Sequence, residues 1–99
     1  MKYFVLHDEN EEITYRLPLV SCSMDFQDFL DIVSESDMTW LEETYGVHDA
    51  SWDESKNEFL GFTSSEVEDW DFVKNYWEKW LRETGFVIGK KGWKKIKAA

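Results

Sequence analysis

Apolar and polar positions along the chain change period several times. Lys2 to Asp8 (KYFVLHD) is a short run rich in β-branched and aromatic residues, which predicts a strand. After the polar turn DENEE, the stretch 12–20 alternates, with Ile13, Tyr15, Leu17 and Leu19 on one face. This period of two predicts a second strand, and the pair reads as a β-hairpin. Pro18 has no N–H to give to a ladder, so the second strand is expected to be an edge at that point, or to end there.

The period then becomes helical. Phe26, Phe29, Leu30 and Val33 follow i, i+3, i+4, i+7, predicting a helix over about 24–35 with Ser23 or Asp25 as its cap. DMTWLEETYG predicts a second short helix, from Asp37 as cap to Gly46 as stop, with Met38, Leu41 and Tyr45 facing inward. ASWDESKNEFLGF returns to strand chemistry. Ser55-Lys56-Asn57 forms the turn of a second hairpin, with Trp52 before it and Phe59 and Phe62 after it. Thr63 to Glu66 fit a capping box. They are expected to open a long helix over roughly 64–84, closed by Gly85.

On that helix Val67, Trp70, Val73, Trp77, Trp80 and Leu81 form one wide stripe. Phe72 and Tyr76 fall outside it, with Trp80 at the border. Either the C-terminal segment covers them, with Trp93 the candidate cover, or they form an exposed aromatic patch. GFVIGKKGWKKIK predicts a last hairpin, Phe86 to Ile88 against Trp93 to Ile96 across Gly-Lys-Lys-Gly, or else a single strand and a tail.

Composition narrows the class. Ninety-nine residues suit one domain with one core, spanning 1–99 and including a basic segment at 86–99. With 42% hydrophobic and 17% aromatic residues, there is enough apolar area to offset the ordering entropy despite the charge. Cys22 is the single cysteine, which rules out an internal disulfide. The N-terminal apolar run is too short for a secretory signal, and no run reaches membrane-spanning length. A cytoplasmic location with no membrane partner is therefore expected.

Charge sharpens the picture most. Residues 1–85 carry 21 acids against 6 bases, a net −15, whereas 86–99 carry five lysines and no acid. Between Leu17 and Ser55 there are ten acids and no Lys or Arg. One reading is a well-solvated acidic surface. The sharper one is a surface matched to a basic protein partner. Asp28, Asp31 and Glu35 form one row on a helix, Glu42 and Glu43 part of a second, and Asp49, Asp53, Glu54 and Glu58 lie around the second hairpin. Glu66, Glu68, Asp69 and Asp71 have a local reason, since acids stabilise a helix N-terminus. The basic segment holds Lys90, Lys91, Trp93, Lys94, Lys95 and Lys97. It could touch phosphates with Trp93 stacking on a base, but a net charge of −10 opposes nucleic acid, so folding back onto the acidic body is expected instead.

Catalytic chemistry finds little support. His7-Asp8 and His48-Asp49 supply two histidines where a metal site needs three or four converging ligands. DESKNE opens like a calcium loop but lacks the glycine at its sixth position and the glutamate at its twelfth. No base stands beside Cys22, and Gly89-Lys90-Lys91-Gly92 lacks the spacing of a phosphate-binding loop. No cofactor and no enzymatic activity are expected.

The expected fold is α+β, an antiparallel sheet made from β-hairpins with two or three helices packed on one face. The expected function is a non-catalytic acidic binding protein that inhibits or modulates a partner, acting as a DNA mimic on a basic nucleic-acid-binding protein. The composition resembles that of small acidic inhibitors of nucleic-acid enzymes, a likeness of composition alone. Two alternatives stand beside it. One is an assembly module, including a homo-oligomer, that uses Phe72, Tyr76 and Trp80; the other is a small enzyme or ligand-binding domain.

Overall fold

A computed structural model describes residues 2–20, 25, 27–28, 31 and 51–97. Six strands form one sheet: β1 (Lys2–Asp8), β2 (Ile13–Val20), β3 (Ser51–Asp53), β4 (Glu58–Ser64), β5 (Val87–Ile88) and β6 (Lys94–Lys97). Helix α1 (Trp70–Thr84) follows β4. The sheet order is β3-β4-β1-β2-β5, with β6 also on β2.

Both expected N-terminal and central hairpins are present, β1 with β2 and β3 with β4, each antiparallel. The sheet is nevertheless mixed rather than antiparallel, because β1 pairs with β4 in parallel. Each hairpin supplies its own antiparallel contact; the way the two hairpins meet is not encoded in either turn. Gln27, Asp28 and Asp31 are helical and exposed, within the expected 24–35 helix. The expected helix at 37–46 lies outside the described residues, so α1 is the one helix described from end to end.

The two hairpin turns are built alike. Each begins with an aspartate whose carboxylate accepts backbone N–H bonds from the turn. Asp8 Oδ1 accepts from Asn10 (3.0 Å) and Glu11 (3.4 Å). Asp53 Oδ1 accepts from Ser55 N (3.1 Å) and Lys56 N (3.3 Å), and from the Ser55 hydroxyl (2.7 Å). Each turn ends with a left-handed residue, Glu12 or Asn57, both at φ +53°. Asx geometry and a left-handed fourth residue are the chemistry of short β-turns.

One glycine sets the phase of β4. Phe59 and Phe62 are three apart, so a regular strand would send them to opposite faces. Instead, Val5 faces Leu60 and Leu6 faces Phe62, leaving Gly61 as an extra residue. This bulge returns Phe62 to the face of Phe59, and both are fully buried. Only glycine fits, because a Cβ at 61 would overlap the Phe4 ring.

The core lies between that face and α1. Phe4, Leu6, Ile13, Tyr15, Leu17, Leu19, Phe59 and Phe62 meet Val73, Trp77 and Leu81. Trp77 is the largest fully buried side chain and packs 5.2 Å from Phe4, ring centre to ring centre. The helix starts six residues later than expected. Thr63 and Ser64 continue β4 opposite His7 and Asp8, so they cannot cap. Asp69 caps instead, accepting from Phe72 N at 3.2 Å. Val67 is buried in the segment before the helix. Gly85 closes α1 at φ +104°, while Phe86 N bonds Leu81 O at 3.0 Å.

Two further expectations meet at Pro18 and the C-terminal segment. Strand β2 runs past Pro18 to Val20 and so does not end there, but on the side away from β1 no strand residue pairs with Leu17 or Pro18, which leaves β2 an edge at that point, as expected. The expected last hairpin does not form. Strands β5 and β6 lie end to end on β2, both antiparallel to it. Ile88 faces Leu19 and Lys94 faces Arg16, so residues 89–93 loop out opposite Leu17 and Pro18 alone. The cause is Pro18. Its carbonyl accepts from Gly89 N at 2.9 Å, so its nitrogen faces the same edge and has no hydrogen to offer. Gly89 allows the close approach, since a Cβ there would sit 2.9 Å from Pro18 Cγ. Gly-Lys-Lys-Gly does form a tight turn, Gly92 N to Gly89 O at 3.2 Å.

Candidate functional site: an acidic end with an aromatic-walled cleft

The β1–β2 turn folds against the segment after β4. Glu9 N bonds Ser64 O at 3.0 Å, the Asn10 side-chain amide bonds Ser65 O at 2.5 Å, and the Thr63 hydroxyl bonds Glu9 Oε1 at 2.8 Å. Two acidic segments far apart in the chain thus meet at one end of the sheet. They bring together eight carboxylates: Asp8, Glu9, Glu11, Glu12, Glu66, Glu68, Asp69 and Asp71.

Few cations answer them. His7 Nε2 lies 3.7 Å from Glu12, and Lys74 Nζ lies 3.0 Å from Asp71. Among the described residues the other six have no ion-pair partner. Some have structural work: Asp8 holds its turn, Asp69 caps α1 and Glu9 receives Thr63. Glu11, Glu66 and Glu68 are exposed, and their side chains bond nothing among the described residues. Because α1 begins at Trp70, the helix-terminus explanation covers Asp69 and Asp71 but not Glu66 and Glu68.

Between the two segments is a cleft of about 470 Å³. Asp8, Glu11, Glu68, Asp69 and Asp71 surround it, and Tyr15 and Trp70 form its apolar wall. Those two rings stack at 5.4 Å, and Phe62 backs Trp70 at 6.1 Å. Lys74 Nζ sits 4.8 Å from the centre of the Tyr15 ring. Burial, then the charges of Asp8, Glu11 and Asp71, push the Tyr15 phenol above its ordinary pKa.

The expected acidic residues are dispersed relative to this end. Asp28 and Asp31 are exposed, with Gln27 bonding Asp31 Oδ1 at 3.0 Å. Glu35, Glu42, Glu43 and Asp49 lie outside the described residues. Asp53 and Glu54 are exposed at the β3–β4 turn. The hydrogen bonds from Ser55, chiefly its hydroxyl, hold the Asp53 carboxyl below the ordinary range.

The expected aromatic patch divides. Phe72 is 47% exposed, whereas Tyr76 and Trp80 are half-buried against the core. Tyr76 meets Trp77 edge-on at 6.2 Å, and Trp80 lies between Trp77 and Phe86. Trp93 is half-buried, but the ring it meets is Phe4, at 6.2 Å, rather than Phe72 or Tyr76. The basic segment folds back as the sheet edge. Lys90, Lys91, Lys94, Lys95 and Lys97 are all exposed, and among the described residues none forms an ion pair.

On the face away from α1, Arg16 ties the two hairpins together. Its guanidinium lies 3.6 Å above the Tyr3 ring and bonds Lys56 O at 3.2 Å. Its Nε is 2.8 Å from Glu58 Oε2, a close ion pair whose N–H is not aligned as a hydrogen bond. This group is structural: it clamps β2 to the β3–β4 turn across β1.

Sequence reasoning missed the cleft because its parts are assigned separately to a turn, a strand face and a helix start. The available signal was the repeated acidity of DENEE and EVEDWD, but no local pattern says that they meet. Compared with protein-family models, curated proteins and solved structures, the chain matches none. Among the described residues no helix is long and apolar enough to cross a membrane.

Proposed function

We propose that this protein is a non-catalytic acidic binding protein that inhibits or modulates a basic protein partner. The observation that carries this reading is the acidic end, where two segments bearing eight carboxylates meet and six of the eight have no ion-pair partner among the described residues. Gathering unpaired like charges costs folding free energy through self-repulsion. A basic partner relieves that repulsion on binding, and the association is fast and salt-sensitive. Where the partner itself binds nucleic acid, the carboxylates take the place of phosphates, the finer form of the same proposal.

The test is retention of basic proteins from a lysate on immobilised protein, eluted with a salt gradient. Nucleic-acid-binding proteins should leave at moderate salt. The double variant Glu66→Lys, Glu68→Lys should release them at clearly lower salt. An elution profile identical to that of the parent protein rules out the acidic end as the contact.

The exposure of Phe72 supports a second reading, an assembly module working through that helix face. Its signature is self-association that salt does not weaken and that Phe72→Ser abolishes, read by sedimentation.

A further inference from the structure

The proposed function names a charge but not a shape; the cleft supplies one. We propose that the cleft walled by Tyr15 and Trp70 receives an arginine side chain of the basic partner, a proposal that rests on the acidic-binder reading.

Three observations lead to it. The first concerns which cation fits. Among the described residues no three carboxylate, histidine or cysteine groups are placed to hold a metal ion. The carboxylates surround the cleft instead of converging on a point, and at about 470 Å³ it has room for an extended organic cation.

The second is an unused polar group. Tyr15 is 7% exposed and lines the cleft, and its hydroxyl, which is not sealed in the core, makes no hydrogen bond to another described residue. The charges of Asp8, Glu11 and Asp71 all act on that hydroxyl. The carboxylates of Asp8, Glu11, Glu68, Asp69 and Asp71 around the cleft are acceptors only. A ligand rich in N–H donors satisfies both the hydroxyl oxygen and the carboxylates. Guanidinium presents five such donors in a plane, more than an ammonium can.

The third is a precedent within the chain. The Lys74 ammonium already lies over the Tyr15 ring while pairing with Asp71 at 3.0 Å. Aromatic face plus carboxylate is thus the cation-holding arrangement at one margin of this wall. Glu11 and Glu68 offer carboxylates on the remaining rim with no partner of their own among the described residues. An arginine there would bond these carboxylates and the Tyr15 hydroxyl, with its methylenes along the exposed margin of Trp70.

The experiment titrates the full chain with hexa-arginine and, separately, hexalysine at low salt. Affinity is read by calorimetry, and the Tyr15 ring and Trp70 indole signals by NMR. Hexa-arginine should bind more tightly than hexalysine and shift both sets of signals. Tyr15→Phe, which keeps the ring, should weaken hexa-arginine roughly tenfold, the loss of one charge-assisted hydrogen bond. Glu68→Gln, an exposed position that does not threaten the fold, should weaken it as well. Equal affinity for the two peptides overturns the proposal. So does hexa-arginine binding that neither variant changes and that leaves Tyr15 and Trp70 unshifted; if Glu66→Lys still weakens it, the acidic-end reading survives without the pocket. No binding of either peptide at low salt overturns both.

Discussion

At the scale of single residues, a few side chains decide more than their number suggests. Gly61 is one. It is the extra residue that keeps Phe59 and Phe62 in one core, and the Phe4 ring occupies the space of its missing Cβ. Gly61→Ala should cost about 1–3 kcal/mol in denaturant unfolding, the range for overpacking a filled core. Tyr15 is another. Its phenol is held above the ordinary value, so over the interval above about pH 10 the native state keeps a proton that the unfolded chain gives up. Stability from this source is complete below pH 10 and falls as the pH rises through that interval. A spectroscopic phenol titration displaced upward, and a drop in unfolding free energy above pH 10 that Tyr15→Phe reduces, are the expected results. Asp53 has the opposite sign. Its carboxyl is depressed, so its contribution is present above the ordinary carboxylate range and fades as the pH falls below it.

At the scale of elements, boundaries follow competition for the same residues. Thr63 and Ser64 have the chemistry of helix caps, but pairing with His7 and Asp8 claims them for β4, and the cap passes to Asp69. Asp69→Ala should lower stability by about 1 kcal/mol, measured by chemical unfolding. Trp77 joins α1 to the sheet through Phe4, and it is fully buried. Trp77→Ala should cost about 3–5 kcal/mol, enough to threaten folding of a domain this size. The edge made by β5 and β6 shows a different economy. All four residues of β6 are exposed and three are lysines, a composition that discourages strand-to-strand pairing between copies.

At the scale of the molecule, charge is arranged rather than merely abundant. The molecule extends 32 × 32 × 23 Å, several screening lengths of about 8 Å at physiological salt. A partner approaching the acidic end therefore feels those eight carboxylates more than the net charge of −10. The same arrangement predicts a conflict between stability and binding. Glu66→Gln with Glu68→Gln should raise the melting temperature at low salt, because repulsion is relieved and no bond of either side chain among the described residues is lost. The gain should shrink as salt is added, and the same variant should bind basic peptides less well. A melting temperature that falls instead would give those two acids a structural purpose.

Local periodicity determined much of this protein. The alternation of Ile13, Tyr15, Leu17 and Leu19, the turn chemistry after Asp8 and Asp53, and the stripe of Trp70, Val73, Trp77 and Leu81 were all legible in the order of residues. Each is an interaction between near neighbours, and spacing records such interactions directly. Three features were not legible. The parallel pairing of β1 with β4, the end-to-end placement of β5 and β6 beside Pro18, and the cleft that joins Asp8, Tyr15, Glu68 and Trp70 all depend on which segment lies beside which. Such choices are settled by burying one apolar face against another, a non-directional force that leaves no periodic mark on the partners it selects. The acidity of the chain came from its sequence; its concentration around two aromatic rings came from the fold.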